Sequence, residues 1–233
     1  MARTEWSILE GYVLHQRPYR ESSIIAEFFS REEGRFPIVL GGVRGARGRS
    51  ARHGLIQPFD FLAMKTSPKG DMRRAELADH LNGSLKVTGH RTFFGFYVNE
   101  LVYRLSTRFD AVPALFDLYH QFMEALKLDA FDARFVTGFE IEFLRALGYG
   151  VNFDVVNGGR ESVRPGGRYH FDPVRGFFSD ASGAITGEAL TRVLREPDHA
   201  LSLQLVRSIA AQVIDHLLSG RPINARQLCE QYR

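Results

Sequence analysis

The chain has 233 residues, 44% hydrophobic and 24% charged, which is enough apolar side chain for one or two cores and excludes a wholly disordered polymer. No stretch approaches the roughly 18 apolar residues of a membrane helix, and the N-terminal MARTEWSILEGYVL mixes charge into every turn, so a cytoplasmic protein with no membrane partner is expected. Cys229 is the only cysteine, which excludes an internal disulfide and the paired thiolates of a structural zinc site. The net charge is only +3, but it is unevenly spread. Between Gly41 and Ala75 eight cations (Arg44, Arg47, Arg49, Arg52, Lys65, Lys69, Arg73, Arg74) face two acids (Asp60, Asp71), a local balance of +6 that leaves −3 for the rest. One surface is thereby set apart for a polyanion.

In chain order, the first eighty residues read as five short strands: Trp6–Leu14, Ser23–Phe29, Arg35–Val43, Phe59–Thr66 and Met72–Asp79. Trp6, Ile8, Tyr12 and Leu14 alternate with smaller or more polar residues, and Arg17–Arg20, Glu32–Gly34 and Ser67–Gly70 carry turn chemistry. Five strands in this length predict a small closed barrel, an OB-fold being the commonest, with an SH3-like barrel as the alternative.

After Ser84 the period becomes helical. Phe93, Tyr97, Leu101 and Leu105 mark one apolar face. A second helix is predicted from an N-cap at Asp110, with Pro113 in its first turn, to about Lys127; a third follows Asp132 and stops at Gly148. Further helices are expected at Gly187–Arg195, at Asp198–Ser219 (stopped by Gly220) and from Asn224. Between Tyr149 and Ile185 seven glycines, two prolines and isolated aromatics predict a loop-rich, cysteine-free insert with one hairpin. The fold class is therefore α+β: an OB-fold barrel over residues 1–82 and an α-helical domain over 83–233, with 149–185 as the irregular insert.

The search for chemistry returns no cofactor site. The glycine-rich stretch at 41–54 lacks the Lys-Ser/Thr pair of a P-loop, the dinucleotide glycine spacing is absent, and no two of the eight histidines stand three or four apart as helix-borne metal ligands do. The residues that do form a pattern are Arg44, Arg47, Arg49 and Arg52, spaced by small residues and free of acids. Guanidinium forks grip phosphate oxygens bidentately, and small residues let a backbone follow an irregular polyanion. Tyr19, between Arg17 and Arg20, combines a stacking face with phosphate grips. Arg17, Tyr19, Arg20, Arg44, Arg47, Arg49, Arg52, Lys65, Arg73 and Arg74 are the candidate nucleic-acid-binding residues. No catalytic or metal-binding residue is assigned, and a non-enzymatic protein is expected.

Several segments, in this order, resemble the RecO family of bacterial DNA repair proteins: RPYRESS at Arg17–Ser23, the Gly-Arg-rich segment followed by Leu55–Phe59, VNELVYRL at Val98–Leu105, FEIEFLRALGYGVNF at Phe139–Phe153 and GRPINARQL at Gly220–Leu228. The resemblance covers almost the whole chain. It implies an OB-fold that binds single- and double-stranded DNA, annealing of complementary strands without ATP, and help in loading recombinase onto strands coated by single-strand-binding protein. It also implies two partners, RecR and the acidic C-terminal tail of that coating protein. The tail would be received by the helical domain, for which Arg134, Phe139 and Phe143 are the candidates. Two features depart from the family pattern. Many relatives carry two Cys-x-x-Cys pairs in the insert, where this chain has none, and a basic residue before the Phe-Glu pair, where this chain has Thr137 and Gly138. Two readings from other classes compete: an RNA-binding OB module, and an enzyme with a spatially assembled site.

Overall fold

The computed structural model describes residues 5–41, 56–68, 70–81 and 87–232. The chain forms two compact units, Met1–Phe131 with Ile223–Tyr232, and Asp132–Pro222. No described helix is long and apolar enough to cross a membrane.

In the first unit, strands β1 (Ser7–Tyr19), β2 (Ser23–Ser30), β3 (Gly34–Leu40), β4 (Phe61–Thr66) and β5 (Arg73–His80) close a barrel in the order β1-β2-β3-β5-β4. All neighbours are antiparallel except β3 and β5, whose parallel pairing completes the circuit. This is the OB-fold arrangement expected, and it leaves none of the five strands with an unpaired edge over its paired length. Leu9, Val13, Phe28, Phe36, Ile38 and Leu62 are among the side chains that fill the interior. The larger residues of β1 alternate with these and face outward: Ile8 is exposed, and Tyr12 is buried only because a helix covers it, stacking on Phe61 at 4.7 Å and meeting the edge of Tyr119 at 5.0 Å. Burial pushes the Tyr12 and Tyr119 hydroxyls well above their ordinary range. Both have partners, Tyr12 bonding His120 Nδ1 at 2.7 Å and Tyr119 donating to Asn99 Oδ1 at 2.6 Å.

β1 runs five residues beyond the expected Leu14, because a bulge at that residue lets the strand continue. Leu14 is skipped in the β1–β2 ladder, and its carbonyl accepts a bond from Asn99 Nδ2 at 2.8 Å instead. Arg17, Pro18 and Tyr19, expected in a turn, therefore pair with Ile25, Ile24 and Ser23. Pro18 is tolerated because β4 pairs with β1 only as far as Tyr12, so no ladder on that side needs its missing N–H. The β2–β3 turn uses Gly34 at φ 68°, where a Cβ would stand 2.1 Å from the Asp110 carbonyl oxygen.

Helices α1 (Arg91–Leu105), α2 (Pro113–Ala125) and the short C-terminal Arg226–Glu230 belong to this unit. α2 is capped at Val112, not Asp110, because Pro113 takes the first helical position, where its missing N–H costs nothing. The end of α1 is tied to the barrel through Arg35. Its Nη2 donates to the carbonyl of the C-cap Ser106 at 2.8 Å, its Nη1 to Glu27 Oε2 at 2.9 Å, and Arg108 also pairs with Glu27. A cation at a helix C-terminus complements the macrodipole.

The second unit contains α3 (Arg134–Ala146), α4 (Gly187–Arg195) and α5 (Ala200–Leu217). Gly148 at φ 84° and Gly220 at φ 72° follow α3 and α5 in the left-handed conformation, as their sequence positions predict. The insert is more ordered than the single hairpin expected of it. A two-stranded ribbon (β6 Val155–Val156, β7 Glu161–Ser162) accompanies a three-stranded sheet (β8 Arg168–Asp172, β9 Gly176–Ser179, β10 Ile185–Thr186) in the order β10-β8-β9. Strands this short carry too little period to be read from sequence. Phe177 packs against Phe171 at 5.0 Å and Phe153 at 5.5 Å, while Asn157 bonds the backbone N–H of Ser179 and the Glu161 carboxylate.

Candidate nucleic-acid interface

Register decides what the outer wall of the barrel presents. Arg17 pairs with Ile25, Ile25 with Val39 and Val39 with Arg74, which makes one row across β1, β2, β3 and β5. Cross-strand partners share a face, so this row places an arginine on each side of two aliphatic residues. Its ends are exposed, and the adjacent row of Ile24, Leu40 and Ala75 points into the barrel. Beyond Arg74, Glu76 and Lys65 stand opposite each other, and Lys65 Nζ lies 5.7 Å from the centre of the Trp6 ring.

Two open grooves cross this wall. One, of about 440 Å³, is lined by Trp6, Arg20, Val39, Arg74 and Glu76, with Gly41 at its lip. The other, of about 300 Å³, takes Arg17 together with His15, Glu27, Met72, Tyr103 and Arg108. Arg20 and Arg74 are thus brought together, while Arg17 borders a separate depression whose Glu27 is already paired by Arg35 and Arg108. Arg20, at φ 53°, sets its guanidinium 5.0 Å from the centre of the half-buried Tyr19 ring. Arg44, Arg47, Arg49 and Arg52 lie outside the described residues; Gly41, which precedes their segment, lines the first groove.

Arg73 is a correction. It is buried, pairs with Glu33, and lies 4.6 Å from the centre of the Phe36 ring and 5.4 Å from that of Phe109. Its position on β5 is in phase with Ala75 and Leu77, whereas Arg74 is in phase with Glu76, and that alternation was the available sign that only one of the pair faces water. Phe139 and Phe143 are likewise core residues, buried and stacked on each other at 5.6 Å. Arg134 is exposed at the start of α3, and its Nε lies 3.2 Å from Asp132, whose carboxyl is held below its usual range by bonds from the Arg134 backbone and side chain. Trp6, which sequence reasoning read only as a strand residue, lines the same groove as Arg20 and Arg74. It shares the phase of Ile8, which the structure leaves exposed.

No described group of histidine, cysteine, aspartate and glutamate side chains could hold a metal ion. With no cysteine in the insert, the residues present do not fit the zinc site that the family resemblance raises; Phe153, Phe171, Phe177 and Asn157 pack that region instead.

The architecture is that of an OB-barrel protein with a cationic groove on its outer wall, continued by helices. Residues 3–82 match the family model described as Recombination protein O N terminal, and residues 87–177 match Recombination protein O C terminal. The chain is 32% identical to the DNA repair protein RecO of Thiobacillus denitrificans, over 95% of this chain and 90% of that protein. It is 33% identical to RecO of Aromatoleum aromaticum (95% and 94%) and 32% identical to RecO of Stenotrophomonas maltophilia strain R551-3 (95% and 95%). The chain belongs to the RecO family of DNA repair proteins.

Proposed function

We propose that this protein binds DNA along the groove between Arg20 and Arg74, anneals complementary strands without ATP, and helps to load recombinase onto strands coated by single-strand-binding protein. The observation that carries the reading is the gathering of Arg20, Arg74 and Lys65 on one outward wall, beside the point where the segment bearing Arg44, Arg47, Arg49 and Arg52 leaves β3. Cations so placed supply the sequence-independent phosphate contacts that annealing of any complementary pair requires. RecR and the tail of single-strand-binding protein are the protein partners in this proposal. For the tail, Arg134 offers a cation beside Phe135, which is 46% exposed, a combination suited to an acidic peptide with an aromatic end.

The test is annealing of two complementary oligonucleotides without nucleotide, together with the salt dependence of single-strand binding. Replacing Arg20 and Arg74 by Ala should slow annealing and flatten the log-log salt slope by about 1.4, at roughly 0.7 for each phosphate no longer neutralised. An unchanged slope in a folded double variant would count against this groove.

A further inference from the structure

We propose that Trp6 is a stacking platform for an unpaired base, so that the groove distinguishes single strands from duplex. This rests on the reading of the groove as a DNA path and adds the chemistry of the base to that of the phosphate.

Trp6 stands immediately before β1 and is not part of the barrel core. The half-buried ring lines the groove with the outward Val39, which makes an apolar floor beside Arg20 and Arg74. Lys65 sits against the ring at 5.7 Å, a cation–π contact that uses one face of the indole and holds a positive charge beside it. Glu76 opposes Lys65 in register, so that among the described residues lining the groove or touching the ring three cations stand with one acid. A phosphate backbone gripped by Arg20 and Arg74 carries its bases within reach of this floor, and an indole is the largest flat surface a side chain can offer them. In a duplex both faces of each base are already stacked on neighbours, so only an unpaired strand can exchange that stacking for the indole.

Trp6 is the only tryptophan in the chain, so its emission reports directly on the groove. Titration of the full chain with an oligothymidylate should quench that emission in step with binding measured by anisotropy, and a blunt duplex should not. Trp6→Ala should weaken single-strand binding roughly ten-fold, the order expected for one base–aromatic stack, and leave duplex binding within two-fold. Trp6→Phe should recover most of the loss. On an abasic strand of equal length, which keeps the phosphates and lacks the bases, parent and Trp6→Ala should bind alike. Unchanged emission at saturation, or equal loss on abasic and normal strands, overturns the stacking role. In that event a persisting effect of Arg20→Ala with Arg74→Ala leaves the groove as a phosphate path, and its absence removes the groove reading as well.

Discussion

Arg73 and Arg74 are adjacent in sequence and lie in opposite regions of the barrel. Arg73 belongs with the buried cations: it pairs with Glu33 against Phe36 on the inward phase, while Arg35, on the outward phase of β3, is buried too and pairs with Glu27 beside Tyr103. Arg74 belongs to the outer wall with Arg20 and Lys65, where cations meet water, aliphatic side chains and Trp6. The difference teaches that a count of charges does not delimit a polyanion site. Strand phase turns Arg73 inward and Arg74 outward, and contact with the end of α1 makes the outward Arg35 a joint that holds the helix to the barrel.

The largest effect should come from the buried region. Replacing Arg35 by Met strips Glu27 of one of two partners and removes the cation at the end of α1, and it should cost about 3 kcal/mol in urea unfolding. The salt slope of DNA binding should not move in the fraction that stays folded, and a shallower slope would erase the distinction between the two regions.

The arginines between β3 and β4 that lie outside the described residues should behave in the opposite way. Changing Arg44, Arg47, Arg49 and Arg52 together to Ala should leave the unfolding midpoint near that of the parent and reduce the salt slope by about 3. That corresponds to roughly a fifty-fold difference in how affinity falls between 50 and 200 mM salt. A large loss of stability with an unchanged slope would place these four with the structural cations instead.

The contrast recurs in α3, where Phe139 and Phe143 are core and Arg134 is outside. Arg134→Glu should weaken binding of a peptide with the tail chemistry by about ten-fold, equivalent to about 1.4 kcal/mol, while single-strand DNA affinity stays within two-fold. Peptide affinity within two-fold of the parent would mean that this helix does not receive the tail. A smaller shift should follow Lys65→Gln, which removes one cation from beside Trp6 and should lower the salt slope by about 0.7 without unfolding the barrel. A slope equal to that of the parent would leave Lys65 a support for the indole alone.

Much of the chain was legible one residue at a time. Five strands, the helix at Gly187–Arg195 and the glycine stops at Gly148 and Gly220 follow from hydrophobic period and backbone permissiveness, which are properties of neighbours in sequence. The concentration of cations between Gly41 and Ala75 was equally plain. Period could not show how far β1 extends, because a bulge at Leu14 carries the strand on past it. Nor could it show that β3 closes on β5, and without that pairing Val39 and Arg74 have no reason to meet. Which arginines face outward, and that Trp6 lines the same groove, was decided by contacts between strands far apart in sequence. Side-chain alternation assigns a residue to one of two faces, and only closure of the barrel determines which face is the inside.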